Sequence, residues 1–171
     1  MSLSMYAATV PPMRHMLKSL KALITKAEAF CTARKIEPDV LLTARLYPDM
    51  LPFVRQIQIA SDNAKAPAGR LAGVEVPKME DNEKTFAELQ ARLDRTIAFL
   101  ETLKPEQFEG ADERDIVLPM RHRTLEFKGA TYLTTFALPN FHFHVTTAYD
   151  ILRHNGVEIG KQDYLGGGRT E

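Results

Sequence analysis

The sequence predicts a mainly α protein, a four-helix bundle with a short β-hairpin between the third and fourth long helices. Four long segments repeat apolar residues every three or four positions, which is typical of helices that bury one face. Between the third and the fourth, a short stretch alternates apolar and polar residues instead. No internal repeat is present, and a chain of 171 residues fits one domain, so we expect residues 1–171 to fold as a single unit.

The first long helix is predicted over residues 13–35. Its apolar positions fall on one stripe: Met16, Leu17, Leu20, Leu23, Ile24, Ala27 and Cys31. We expect Pro11 and Pro12 to set its start and Pro38 to end it, because the residue before a proline avoids the α conformation. Cys31 is the only cysteine. A buried, inert thiol is therefore expected, with no disulfide and no cysteine cluster for a metal.

A short helix over residues 39–47 and a second long helix over 49–71 come next. We expect Asp49 to cap the second long helix and Arg45 to pair with Asp49. Pro67 is expected to kink the helix or end it early, because proline removes one helical hydrogen bond. Gln56 and Gln58 lie on either side of Ile57, and one of them is expected to reach the interior.

The third long helix is predicted over residues 82–103, with its Glu and Arg side chains on a solvated face. Two short strands, 116–118 and 124–127, then flank residues 120–123 and predict a hairpin that ends at Gly129. An exposed His122 is expected in the hairpin connection. For residues 130–138, periodicity does not decide between a helical turn and a further strand.

The fourth long helix is predicted to begin at Pro139 or Asn140 and to close at Gly156 as a C-terminal cap. It contains His142, His144 and His154, three of the five histidines. The residues beyond it are expected to form a flexible tail. The tail glycines are Gly160, Gly166, Gly167 and Gly168. The three consecutive glycines, 166–168, do not form a phosphate loop, because no helix is expected after them to present backbone N–H groups.

Asp150 and His154 are the strongest candidates for a site, because a spacing of four places them on one helix face. A divalent metal would accept this pair if another helix supplied a third ligand. The best-placed donor on the second long helix is Asp62, with Gln58 one turn before it. The alternative is structural: Asp150 orients His154 through a hydrogen bond, or His154 caps the helix C-terminus.

His142 and His144 lie two residues apart and therefore point away from each other on a helix, so they do not readily share one metal. His144 faces the side of the helix that is expected to be buried. Its role is either in the core or an interface, or in a ligand site. His142 is expected at the surface or in a dimer contact.

Lys and Arg number 22, as do Asp and Glu, so the formal net charge is zero. That balance argues against a broad nucleic-acid or anionic-membrane footprint, and it makes self-association easier. No apolar run approaches the length of a membrane-spanning helix, and the N-terminus lacks a secretory signal pattern. We therefore expect a cytoplasmic protein that binds neither nucleic acid nor membrane.

Five phrases resemble an uncharacterised bacterial family in the DinB/YfiT-like superfamily of four-helix bundles: ARLYPDM (44–50), RQIQIASDNAK (55–65), RLAG (70–73), ALPNFHFHVTTAYDILRHNG (137–156) and IGKQDYLG (159–166). The resemblance implies the bundle fold and a tendency to dimerise. It also implies a divalent-metal site of three histidines in many superfamily members, some of which are thiol-dependent transferases or hydrolases. On that pattern His154 matches the last ligand, Asp150 replaces another, and Asp62 is the nearest candidate for the third.

Two functions follow as hypotheses. The first is a homodimeric small-ligand-binding or structural module with a degenerate metal site. Its ligand-binding residues would be Asp62, Gln58, His144, Asp150 and His154. The alternative is a divalent-metal-dependent enzyme of the hydrolase or thiol-transferase type. It would hold Zn or Ni between the second and fourth long helices through Asp62, Asp150 and His154.

Overall fold

The computed structural model describes residues 3–167 and confirms the mainly α fold with an inserted hairpin. Four long helices bury one shared apolar core. The elements in chain order are α1 (Met5–Arg34), α2 (Pro38–Leu42), α3 (Phe53–Ala72), α4 (Phe86–Thr102), a 3₁₀ turn (Pro105–Phe108), β1 (Asp115–Pro119), β2 (Thr124–Lys128), α5 (Gly129–Thr131), a π-helix (Tyr132–Ala137), α6 (Leu138–His154) and α7 (Lys161–Tyr164).

Helix α1 begins eight residues earlier than predicted, so the expectation that Pro11 and Pro12 set its start is wrong. The Ser4 hydroxyl caps the helix by accepting a hydrogen bond from the backbone N–H of Ala7, at 3.1 Å. Both prolines lie inside the helix with exposed rings. Val10 and Met13 are buried beside them. The apolar burial along a long helix thus outweighs the hydrogen bonds that two prolines remove.

Helix α3 also departs from two expectations. It begins at Phe53 with Pro52 in the capping position, so Asp49 does not cap it. Arg45 does not pair with Asp49 but donates to the backbone carbonyl of Met50, at 2.6 Å. Pro67 is buried inside the helix, which continues to Ala72, so the early end was wrong as well.

Helix α4 starts at Phe86, four residues later than predicted, because Thr85 and Glu88 form a capping box. Residues 74–84, here called the strap, lie between α3 and α4. The start of the strap packs tightly on α3 at Gly69, where a Cβ would come within 2.4 Å of the Val76 side chain. Glycine at this position is what permits the close approach.

The hairpin is confirmed, with β1 and β2 paired antiparallel and Ile116 opposite Phe127. Ile116 and Leu118 are buried, whereas Val117 faces outward. The stretch that periodicity left undecided is helical, since α5 and the π-helix lead directly into α6. A wider π turn just before Pro139 accommodates the proline, whose ring would clash with the carbonyl four residues earlier in an α-helix.

Helix α6 ends at His154, and Gly156 follows with a φ of +90°, which fits the predicted glycine stop. The expected flexible tail is wrong for residues 157–167. Val157 and Ile159 are buried, and α7 packs on α1 through the Lys26–Asp163 ion pair at 2.7 Å. Gly168 lies outside the described residues. None of the helices in the described range is long and apolar enough to cross a membrane.

Candidate functional site

Helices α3 and α6 run antiparallel, and two hydrogen bonds define their register. At one end, the Arg70 guanidinium donates to the Tyr132 hydroxyl, at 3.2 Å. Near the other end, His144 Nδ1 and Gln56 Oε1 are 2.7 Å apart. Residue numbers therefore rise along α3 while they fall along α6.

This register keeps the three predicted metal ligands apart. Asp62 lies six residues after Gln56, at the level of the start of α6. Asp150 and His154 lie six and ten residues after His144, in the opposite direction along the helix axes. At 1.5 Å per residue, Asp62 is about 18 Å from Asp150 and about 24 Å from His154 along the helix axes. The prediction that α3 and α6 bring these residues together is therefore corrected.

The donors needed for a metal site of the implied kind are not assembled. Among residues 3–167, no group of three or more His, Cys, Asp or Glu side chains is placed to hold a metal ion. His154 is exposed and Asp150 is half-buried. No hydrogen bond joins the two in that range, so Asp150 does not orient His154 either. The residues present therefore do not fit the three-ligand pattern that the resemblance implied.

Asp62 and Gln58 do come together, but around an arginine that the sequence analysis did not single out. The Arg92 guanidinium is completely buried and bonds three carboxylates: Glu83 at 3.1 Å, Asp62 at 2.9 Å and Asp81 at 3.0 Å. Gln58 joins by donating to Glu83, at 2.8 Å. We call this group the Arg92 cluster; its members are Arg55, Gln58, Asp62, Lys65, Asp81, Glu83 and Arg92.

The charges of the Arg92 cluster balance. Lys65 pairs with Asp62 at 2.9 Å, and Arg55 donates to Asp81 at 2.6 Å. Partial burial acts to raise the pKa of Asp81, but the hydrogen bond from Arg55 and the charges of Arg92 and Arg55 outweigh burial and lower that pKa. Because Asp81 and Glu83 belong to the strap, the cluster ties the strap to α3 and α4.

A signal for Arg92 was present in the sequence. Arg92 lies three residues after Leu89 and directly before Leu93, two apolar positions of the predicted helix that are both buried. That spacing places it at the edge of the apolar stripe and not on the solvated face to which the prediction assigned the arginines of this helix. Of the carboxylates that neutralise Arg92, Asp62 is distant in sequence on α3, and Asp81 and Glu83 lie in the strap, so the pairing itself had no periodic signal.

The second polar group joins the buried Gln56 to the half-buried His144 and is here called the His144 pair. Gln56 is 2% exposed, and its Nε2 donates to the backbone carbonyl of Leu51 at 3.0 Å. This bond turns Oε1 of Gln56 toward His144, so Nδ1 of His144 carries the proton that Oε1 accepts. The other ring nitrogen, Nε2, then presents a lone pair and has no partner within residues 3–167.

Burial lowers the pKa of His144, and burial also lowers the pKa of His142. Both rings are therefore neutral at neutral pH. Beside His144, the Phe143 ring stands edge-on at 5.2 Å and is 56% exposed, and Leu51 is 43% exposed. The His144 pair thus offers a neutral hydrogen-bond acceptor at a partly open, largely apolar surface.

Of the two glutamines around Ile57, both reach the interior, where one was expected. Two residues apart on α3, they point about 200° from each other. Gln56 therefore meets α6 and Gln58 meets the strap. The predicted ligand residue His144 thus has a defined partner, whereas Gln58 and Asp62 are engaged inside the Arg92 cluster.

Comparison with known proteins places this bundle in a family. The sequence model of DUF1993, a domain of unknown function, matches residues 5–165. The crystal structure of a DinB family member from Shewanella denitrificans is similar, with a TM-score of 0.90 and 43% sequence identity over 97% of this chain and 94% of that one. No curated protein matches the chain. The protein therefore belongs to the DUF1993 family and is a DinB-like helical domain.

Proposed function

We propose that this protein is a small-ligand-binding module and that Nε2 of His144 is its principal binding atom. The observation that supports the proposal is the 2.7 Å hydrogen bond between His144 Nδ1 and Gln56 Oε1. A histidine that binds through one ring nitrogen commonly donates the other N–H to a carbonyl, which fixes the tautomer and the ring orientation. Gln56 serves this purpose here, and the Leu51 carbonyl orients Gln56 in turn.

The chemistry around Nε2 selects the kind of ligand. A neutral imidazole nitrogen accepts a hydrogen bond, so the ligand needs an N–H or O–H group. The exposed faces of Phe143 and Leu51 favour an apolar or aromatic portion next to that donor. A ligand of this class would bind without a catalytic step, since the proposal assigns His144 only the role of acceptor.

Self-association through the same end of the molecule is part of the proposal. Four exposed apolar side chains lie in the segment that leads into α3, namely Val40, Leu46, Tyr47 and Leu51, and the exposed Phe143 directly precedes His144. The zero formal net charge of the chain offers little electrostatic resistance to such contact. We expect a homodimer in sedimentation velocity experiments and a shift toward monomer in Tyr47→Ser/Phe143→Ser. A monomeric wild-type protein would contradict this part alone.

The ligand proposal is tested with a library of small N–H and O–H donor fragments. We expect binding fragments to shift the ¹⁵N resonance of His144 Nε2, with no such binding in His144→Phe. His154→Phe is the matched control, because His154 is an exposed histidine of the same helix. Fragments that bind His144→Phe as well as wild type, or no binding fragments at all, would refute the proposal.

The metal-dependent alternative predicts a different result. Metal analysis of protein purified without a histidine tag would then find roughly one equivalent of Zn or Ni, lost in Asp150→Ala and in His154→Ala. A binding module that acts through His144 predicts no dependence of metal content on either residue. One set of purified variants therefore separates the two hypotheses.

A further inference from the structure

The arginines at the tip of the hairpin differ from almost all the others. Among the arginines within residues 3–167, only the side chains of Arg121, Arg123 and Arg153 lack a hydrogen bond, an ion pair or a ring contact. The partnered arginines are Arg14, Arg34, Arg45, Arg55, Arg70, Arg92, Arg95 and Arg114. The hairpin tip, defined as residues 120–123, thus carries two exposed guanidinium groups whose donors are all available.

The neighbourhood of the tip along the chain does not neutralise this charge. Residues 116–125 contain no Asp or Glu, and the nearest carboxylate on β2 is the single Glu126, three residues after Arg123 and opposite Val117. At the base of the hairpin, Asp115 is already paired with Lys128 at 2.7 Å. The tip is therefore a local cationic site on a chain whose formal net charge is zero, and the average charge of the sequence conceals it.

Apolar side chains accompany the two arginines. Met120, the first residue of the tip, is 51% exposed, and Val117 on the outward face of β1 is 56% exposed. Ile116 and Leu118 point the other way into the core and hold the ribbon against the helices. The tip therefore combines fork-shaped cations with a flexible thioether on a turn whose residues 120–123 are all exposed.

The size and shape of the tip discriminate between partners. A stable protein–protein interface needs about 800 Å² on each side, which four residues at a turn do not supply. Nucleic-acid binding draws its affinity from several phosphate contacts, and an exposed methionine adds nothing to them. A lipid headgroup layer, in contrast, can be contacted by a few residues at a turn. Its phosphates pair with arginine, and the boundary with the acyl chains accepts an apolar side chain.

We propose that the hairpin tip is a docking point for an anionic lipid bilayer surface. Arg121 and Arg123 contact headgroup phosphates, and Met120 enters the boundary between headgroups and acyl chains. This is a peripheral contact on one protruding turn, so it agrees with the expectation that the chain lacks a broad cationic footprint. It adds a membrane partner that the sequence did not lead us to expect.

The test is cosedimentation with sucrose-loaded vesicles of phosphatidylcholine, with and without phosphatidylglycerol, at low ionic strength. Wild type is expected to bind the vesicles that contain phosphatidylglycerol. Each arginine near an anionic surface contributes about fivefold to partitioning, so Arg121→Gln/Arg123→Gln should reduce binding roughly 25-fold. Met120→Ser should reduce binding by roughly fivefold, with little dependence on salt.

The control variant is Arg153→Gln/Lys78→Gln, which removes the same charge from two exposed positions outside the hairpin. Its binding should stay within about twofold of wild type. All variants change exposed side chains, so their thermal unfolding should match wild type. Equal binding to both vesicle types, an equal loss in the control, or tighter binding of oligothymidine with the same dependence on Arg121 and Arg123 would overturn the proposal.

Discussion

The two buried polar regions of this protein lie on different sides of α3 and differ in how fully they are satisfied. In the Arg92 cluster, protein groups pair with each of three carboxylates and three cations, and among its buried side-chain atoms in the described residues only Nε of Arg92 lacks a partner. In the His144 pair, the protein bonds one ring nitrogen and leaves the other. A nearly complete set of protein partners is typical of a structural network, whereas the ligand proposal rests on an oriented acceptor that has no protein partner.

The two regions also have different neighbours. The Arg92 cluster connects α3, α4 and the strap, so its ion pairs determine where the strap lies. The His144 pair joins only α3 and α6 and borders exposed apolar side chains. Mutations should therefore separate the regions, with stability as the main readout in the first and binding in the second.

The largest expected effect comes from Arg92→Met. This change leaves the buried Glu83 carboxylate, whose side chain is 3% exposed, without its main counter-charge. Breaking a buried ion pair from one side costs about 3–5 kcal/mol, which we expect as the loss in the free energy of unfolding by urea. Arg92→Met/Glu83→Gln should recover part of that loss, because it removes the unpaired charge.

Arg95→Met is the matched control for Arg92→Met. Arg95 also faces Glu83, at 3.7 Å, but its side chain is 56% exposed. An exposed pair contributes about 0–1 kcal/mol, so Arg95→Met should change the free energy of unfolding very little. Similar losses in the free energy of unfolding in the two variants would show that the burial of Arg92 does not strengthen its ion pairs.

A smaller effect is expected from His144→Phe. The substitution deprives the buried Oε1 of Gln56 of its hydrogen-bond donor, which costs about 1–3 kcal/mol in the free energy of unfolding. His154→Phe changes an exposed residue and should cost less than about 0.5 kcal/mol. Equal costs would mean that the Gln56 contact contributes nothing to orienting His144.

The sequence was sufficient to predict the long helices of this bundle, but it did not predict where several of them begin or end. Many apolar side chains along α1 and α3 are buried, and each contributes to the free energy of folding. Together these contributions outweigh the cost of about 3 kcal/mol for an interior proline. Pro11 and Pro12 therefore do not set the start of α1, and Pro67 does not end α3 early, because all three lie inside helices. A local rule failed where a cooperative, tertiary term was larger.

The candidate site was harder to predict, because it depends on how two helices are shifted along each other. Spacing along one chain segment correctly places Asp150 and His154 on neighbouring turns of α6, but it carries no information on the level at which α3 meets them. The register set by Gln56 and His144 puts Asp62 far from both. His144 could be singled out from its position on the helix, whereas its partner required the packed structure.

The smallest effect is a difference in the pH dependence of stability between the two regions. Burial holds the pKa of His144 and of His142 below 6.5, so the unfolded chain binds more protons there than the folded chain as the pH falls. Their contribution is complete above pH 6.5 and is lost as the pH falls through the folded pKa. Asp81 has a pKa below 3.8, so its contribution is present above that value and is lost in more acidic solution.

Urea unfolding across these two windows checks the assignment. His142→Phe/His144→Phe should flatten the rise in stability toward pH 6.5 and leave the acidic window unchanged, while Asp81→Asn should do the reverse. Each group contributes at most about 1.4 kcal/mol per pH unit to the slope, which two-state unfolding curves resolve. If the double-histidine variant altered stability only in the acidic window, the separation of the two regions would be contradicted. The Arg92 cluster and the His144 pair would then respond to pH as one unit.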